Sequence, residues 1–234
     1  MAYSIADRVE QVKERIEAAC RRAGRNPREL SLMAVTKLQM PAAVEEAWDA
    51  GMRLFGENRV HDGITKYRNF WNDHPHSDAE LHFIGSLQRN KAKAAADFYD
   101  CIQSVDRDSL IDELGALTIG REKPLMILLE MHTGEETKAG FPDLESLFRA
   151  AERALSFSGL SCRGLMTMAP FTDDTEAIRR SFKTLAAAKG ELEKRFPGNW
   201  SCLSMGMTND FEIAIEQGST LLRIGTAIFG ERNA

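Results

Sequence analysis

What most constrains this chain is an alternation repeated along nearly its whole length. Eight short apolar runs follow one another: "SLMAVTK", "RLFGEN", "LHFIGSL", "CIQSV", "PLMILLEM", "LSCRGLMTM", "WSCLSMGM" and "TLLRIGTAIFG". Between them the pattern turns helical, around 41–50, 59–70, 90–97, 108–118, 143–157, 175–196 and 210–217. Runs that are largely apolar without clean alternation suit parallel strands covered by helices. Eight strand–helix alternations in 234 residues, close to the ~250 typical of a (β/α)8 barrel, predict a closed TIM barrel in the α/β class, one domain spanning residues 1–234. An open, doubly wound sheet is the alternative.

One helix is extra. Ile5, Val9, Val12, Ile16 and Cys20 recur at three- and four-residue steps ahead of the first strand, with Ser4 to cap the start and Gly24 to end it. The eighth run has no helical pattern after it, and this N-terminal helix is expected to cover that gap. "WNDHPHSDAE" reads as a surface loop, with His74 and His76 as loop residues rather than metal ligands.

Composition excludes several classes of function. A formal charge of −5 weighs against nucleic-acid binding, which needs a basic face to displace counterions. No apolar run approaches the ~20 residues that span a bilayer, and the start "MAYSIADRVEQVKER" has no apolar signal core. Cys20, Cys101, Cys162 and Cys202 form no CxxC pair, so neither zinc nor a redox dithiol is indicated. Scattered thiols suit a reducing, cytoplasmic setting.

In a barrel, function collects where the C-terminal strand ends converge above a packed core. Lys37 ends the first run, Glu57 and Asn58 the second, and Ser86 and Gln88 follow the third. Met166 and Thr167 lie near the end of the sixth, Ser204 to Met207 end the seventh, and Arg223 to Thr226 lie along the eighth. His82 falls within the third and can point inward. Each residue alone has an ordinary reading: a solvated lysine, a helix-capping asparagine, a core histidine, packing methionines. Their combination is more informative. "LSMGMTND" and "RIGTAIFG" offer hydroxyls and glycines on the loops after strands seven and eight, where barrels often hold a phosphate. There is no GxxxxGK or GxGxxG, so a nucleotide loop is not supported. A lysine that attacks a carbonyl, opposite a phosphate anchor, suggests pyridoxal 5′-phosphate (PLP) held as a Schiff base.

Seven segments carry a resemblance in the same order: "LMAVTK", "LFGENRV", "LHFIGSLQRNK", "GEETKAGF", "GLMTMAP", "LSMGMTNDFEIAI" and "GSTLLRIGTAIFGER". From about residue 5 to 232 the chain resembles the pyridoxal phosphate homeostasis proteins of the YggS/PROSC type. That resemblance implies the fold type III barrel of the alanine racemase N-terminal domain. It also implies a PLP-binding role in vitamin B6 balance and amino- and keto-acid metabolism, without robust catalytic activity. By position it makes Lys37 the Schiff-base lysine and sets Asn58 beside the cofactor. Ser204, Gly225 and Thr226 would hold the phosphate and Arg223 would face the pyridine nitrogen, with His82 and Met166 lining the surroundings. Ser86, Met131, Thr208 and Asn209 differ from the usual family pattern and bear on the open face of the site.

Two implications concern chemistry. A guanidinium does not give up its proton, so Arg223 would only donate toward the pyridine nitrogen and would disfavour the protonated, most electron-withdrawing ring. Racemisation needs acid/base groups on both faces of the α-carbon. The chain stops after the eighth strand, before any second domain, and none of Tyr3, Tyr67 and Tyr99 ends a strand. The expectation is therefore a monomeric PLP carrier that exchanges cofactor with apo-enzymes. A PLP-dependent amino-acid racemase is the alternative, and a phosphosugar-binding barrel without PLP is a third reading.

Overall fold

The computed structural model describes residues 3–75, 78–134 and 139–231. His76 and residues 135–138 of the "GEETKAGF" segment lie outside them. The chain opens with α1 (Ile5–Ala23), started by a reciprocal cap between Ser4 and Asp7 and ended by Gly24 in the left-handed region at φ 65°. Its stripe of Val9, Val12, Ile16, Ala19 and Cys20 is buried.

Eight parallel strands then alternate with helices. They are β1 (Ser31–Val35), β2 (Leu54–Glu57), β3 (Glu80–Phe83), β4 (Cys101–Val105), β5 (Leu125–Glu130), β6 (Leu160–Met166), β7 (Cys202–Ser204) and β8 (Leu221–Ile224). Each pairs with the next, and β8 pairs back onto β1 through Ser31↔Leu221 to Ala34↔Ile224, so the sheet closes into a barrel. The expected class is correct and the open-sheet alternative is excluded.

The strands stop earlier than the apolar runs do. In β1 the pairing ends at Val35, and Thr36–Gln39 form a turn closed by the Gln39 N–H on the Thr36 carbonyl (3.0 Å). The intervening helices are α2 (Pro41–Asp49), α3 (Val60–Asp73), α4 (Ala92–Phe98), α5 (Asp108–Leu117), α6 (Leu144–Leu155), α7 (Thr175–Arg195) and α8 (Phe211–Glu216). Trp71 to Asp73, read as loop, continue α3 because its aromatic stripe extends through them. Trp71 packs on Tyr67 and Phe70, and His74 stacks on Phe70 and Trp48 while bonding Glu45 at 2.8 Å. A one-turn helix, α9 (Thr226–Phe229), follows β8 where no helical pattern was read. The segment is too short to show a period. α1 packs on α8, α9 and α2 and covers this side of the barrel as expected.

Apolar residues fill two layers. The larger lies between strands and helices, around Phe55, Tyr67, Phe182, Trp200 and Phe211. Inside the barrel are two smaller clusters, Met33–Val35–Leu221 and Cys101–Leu128–Met166. Between these lies a polar seam, and the site is built on it.

Candidate cofactor site

The seam begins at Arg223, on β8 and buried. Its Nη1 donates to Ser204 Oγ at 2.6 Å and its Nη2 to the Thr167 carbonyl at 2.7 Å. Ser204 Oγ passes its own proton to Gln103 Oε1 at 2.6 Å, and Gln103 Nε2 lies 2.8 Å from His82 Nδ1. His82 Nε2 is 3.2 Å from Glu80 Oε2 at the foot of β3. Four strands thus supply one hydrogen-bonded chain, with β3 giving both His82 and Glu80 and β4, β7 and β8 one polar side chain each. Met166, at the level of Ser204 and Glu130, is buried beneath.

Glu130, at the end of β5, also belongs to this interior. Burial, reinforced by the nearby Asp106 charge and opposed by Arg223, pushes its carboxyl up to about 7. In the same region Asp210 is also raised by burial.

Closure of the barrel sets β1 beside β8. Val35 and Lys37 follow Ala34, which pairs with Ile224, and Gly225 comes next on β8. A Cβ built on Gly225 would meet only Val35, at 3.5 Å from its carbonyl oxygen, and Gly225 has φ −112°. The protein's own packing therefore does not demand glycine there. Gly206 is different. At φ 101° its Cβ would meet Ala214 at 2.6 Å, and its carbonyl takes the Arg223 N–H at 2.9 Å.

The "GMTND" loop turns tightly, with Asp210 Oδ1 accepting from the Met207 N–H at 2.5 Å. This brings Thr208 Oγ1 to 3.3 Å from the Ala227 N–H, half-buried at the C-terminal mouth beside Gly225 and Thr226. Ser204, expected at the phosphate, points instead into the barrel, with its proton on Gln103 and a lone pair on Arg223. The hydroxyl that the loops do bring to Gly225 and Thr226 is that of Thr208.

Lys37 is exposed and makes no hydrogen bond or ion pair among the described residues. Its turn is nevertheless held firmly. The Thr36 carbonyl accepts from Lys66 Nζ at 2.7 Å, Lys66 bonds Glu57 Oε1 at 2.7 Å, and Thr36 Oγ1 bonds Glu57 at 2.8 Å. Tyr67 Oη lies 2.8 Å from Thr36 Oγ1, and burial pushes its phenol well above the usual value. Glu57, read as a strand-end polar residue at the mouth, is thus a buried anchor. Next to Lys37, Leu38 has φ 64°, a left-handed conformation unusual for a branched residue.

Asn58 is half-buried, with Ser86 and Gln88 in a concavity of about 240 Å³ on the same mouth. A roomier one, about 550 Å³, opens at the opposite mouth between α1 and the starts of β1–β3, lined by Lys13, Met52, Arg53 and Glu80. It is remote from Lys37 and the Gly225 loop, and barrels of this kind act at the other end. Sequence reasoning missed Gln103, Glu130 and the part taken by Thr208. The first two were visible as polar residues inside apolar runs four and five, from which no candidate was drawn.

The alanine racemase N-terminal domain model matches residues 8–233. That defines the class: the chain belongs to the family of alanine racemase N-terminal-domain barrels. Within it the chain belongs with the pyridoxal phosphate homeostasis proteins. It is 38% identical to the one from Vibrio alginolyticus over 98% of both chains. It is likewise 38% identical to that of Escherichia coli K12, covering 98% of this chain and 97% of that one. PipY of Synechococcus elongatus, solved with PLP bound, is 30% identical and covers 97% of this chain and all of its own, with TM-score 0.84. Alanine racemase from Bacillus anthracis shares the fold at TM-score 0.70 and 14% identity, and 57% of that longer chain is covered.

Proposed function

We propose that this protein binds PLP at the C-terminal mouth of its barrel and serves vitamin B6 homeostasis by holding and yielding the cofactor, not by turning over amino acids. The observation that carries the reading is the union of an exposed lysine on a fixed turn with a glycine, Gly225, whose missing side chain leaves room at the mouth for a ligand. The residues present fit the group. Lys37 supplies the amine for the Schiff base, and Asn58 flanks it. Gly225, Thr226 and the Thr208 hydroxyl hold the phosphate, and Arg223 turns its uncommitted N–H groups to the pyridine nitrogen. Ser204 would position Arg223 directly, His82 would act behind Gln103, and Met166 would lie buried beneath. When bound, PLP supplies an electrophilic carbon that a second amine can capture.

Against a racemase stands the lack of an opposing acid/base tyrosine. Tyr67 and Tyr99 are buried with their phenols raised, Tyr99 chiefly by burial, and Tyr3 is exposed on the N-terminal segment. Without such a group proton exchange at the α-carbon slows by a factor of about 10²–10⁴. Relatives named for PLP homeostasis support the carrier reading. Four free cysteines, three of them buried, support a cytoplasmic location. Exchange with PLP-requiring apo-enzymes, by a monomer, completes the proposal.

The test is borohydride reduction of the PLP-loaded protein followed by peptide mapping. The adduct is expected on Lys37 and is expected to vanish in Lys37→Ala. Persistence unchanged on another lysine would overturn the assignment. Rapid deuterium exchange at the α-carbon of added amino acids would favour the racemase instead.

A further inference from the structure

The polar seam has a direction, and every step of it follows from the donors available. A guanidinium only donates, so Ser204 Oγ accepts from Arg223. The single hydroxyl proton of Ser204 then goes to Gln103 Oε1. That leaves the Gln103 amide nitrogen, which only donates, facing His82 Nδ1. His82 therefore accepts at Nδ1, carries its proton on Nε2 and donates to Glu80. The hydrogen bond from His82 in turn holds the Glu80 carboxyl below its ordinary value.

The chain of donors runs one way, from a buried cation to a carboxylate at the opposite mouth, through three neutral groups. Turning the Gln103 amide over would set its oxygen and Glu80 against the same ring, and only a doubly protonated imidazole would satisfy both. The amide orientation and the charge on His82 are thus one variable. Such one-way chains polarise each member in turn, and outer partners of this kind fix the orientation of groups that touch a ligand.

We infer that Gln103 is a positioning residue of the cofactor site. It keeps the Ser204 proton turned away from the mouth and so pins Arg223 Nη1, leaving the remaining guanidinium N–H groups aimed at the ligand. His82 acts through Gln103 as the next support, and neither touches the cofactor. Thr167 holds the other guanidinium nitrogen, Nη2, so two of five donors are committed before any ligand arrives.

The inference rests on Arg223 facing the PLP ring, and the experiment separates the two claims. Long-range proton–nitrogen spectra of the full chain labelled with ¹⁵N-histidine, with His82→Asn to assign the signal, read the tautomer without and with PLP. The expected result is a neutral ring protonated at Nε2. In Gln103→Glu, whose carboxylate accepts from both sides, His82 should become doubly protonated. In Gln103→Leu, affinity for PLP should fall on the order of tenfold, about what one misdirected charge-assisted hydrogen bond carries, while affinity for inorganic phosphate, bound away from Arg223, stays the same. A wild-type ring protonated at Nδ1, or doubly protonated, overturns the relay. An unchanged PLP affinity in Gln103→Leu, with the tautomer as expected, overturns the role in cofactor positioning while leaving the relay intact. If Gln103→Leu does not fold, the Gln103→Glu spectrum and its PLP affinity decide.

Discussion

The two flanks of the mouth are built on opposite plans. Below the β7–β8 side the chain that runs from Arg223 through Ser204 and Gln103 to His82 is buried and partnered. On the β1–β2 side Lys37 lies in the open with no hydrogen bond or ion pair among the described residues, and the order sits one layer below it in Thr36, Glu57 and Lys66. On the proposed reading, a cofactor held here would set its ring against the ordered side and its aldehyde carbon beside an exposed amine. That division suits a protein whose task is to hold a cofactor and give it up, because the bond to be exchanged is the one the solvent and a second amine can reach.

The largest way to break the comparison is to remove the hidden order beneath Lys37. Lys66 and Glu57 form a buried pair, with 10% and 1% of their side chains exposed. Deleting one partner strands the other charge in the interior, which typically destabilises by about 3–5 kcal/mol, a large share of the roughly 5–15 kcal/mol that holds a domain together. Lys66→Ala should lose stability of that order in urea unfolding. Adding Glu57→Gln should restore part of it, since a neutral amide is cheaper to bury unpaired. A loss below about 1 kcal/mol would mean that the turn carrying Lys37 does not depend on this pair.

The opposite flank has one weak point, Glu130. Its carboxyl is raised from 4.5 to about 7, first by burial and then by Asp106. A folded value above the unfolded one means that the native state binds the extra proton between those two values. The resulting stabilisation is full below about pH 4.5 and is lost as pH rises through about 7. Glu130→Gln should remove this slope and exceed the wild type above pH 7 by up to about 3 kcal/mol. Unfolding at pH 5, 6, 7 and 8 reads it directly, and parallel curves for the two proteins would show that Glu130 is not the titrating group.

The same contrast explains what the sequence revealed. The barrel was legible because eight apolar runs and their intervening helices each leave a local period. The places of Lys37, Gly225 and Arg223 at or near the ends of β1 and β8 were legible because unusual residues stand out against an apolar background. Ser204 and Thr208 could not be told apart by sequence because both are hydroxyls four residues apart at the end of β7 and in the loop after it. Which of them points inward depends on the left-handed turn at Gly206 and the closure of Asp210 on Met207, neither of which has a period to read. Gln103 went unnoticed because its meaning comes from His82 and Ser204, partners on two other strands. Glu57 does end β2 as read, but its burial against Lys66 was not foreseen because that partner belongs to the following helix.

A smaller effect separates the socket from the scaffold. Gly225→Ala adds a methyl that meets only ordinary contacts with Val35, so stability should stay within about 0.5 kcal/mol. Affinity for PLP should fall on the order of tenfold, about 1.4 kcal/mol, because the backbone can no longer approach the phosphate. Gly206→Ala is the contrasting case. There φ 101° and the close Ala214 Cβ predict a loss of folding stability as well. Equal behaviour of the two variants in thermal unfolding would erase the distinction between a glycine kept for a ligand and one kept for the chain.

The smallest effect concerns the strained residue beside Lys37. Leu38 at φ 64° occupies a region that disfavours side chains by roughly 1–2 kcal/mol. Glycine relieves that strain but gives back about 0.5–1 kcal/mol through the freedom of its unfolded chain. Leu38→Gly should therefore raise stability by less than about 1 kcal/mol. Its effect on chemistry tells whether the strain aims the lysine. The Thr36 carbonyl is fixed from two directions, by Lys66 Nζ and by the Gln39 N–H, and neither bond involves the Leu38 side chain. The turn should then keep its shape without leucine, and the rate at which borohydride captures PLP on Lys37 should not change. A slower capture together with raised stability would show that the leucine side chain, which is exposed at the mouth, itself confines the lysine, and would move part of the order from the layer below Lys37 to the surface beside it.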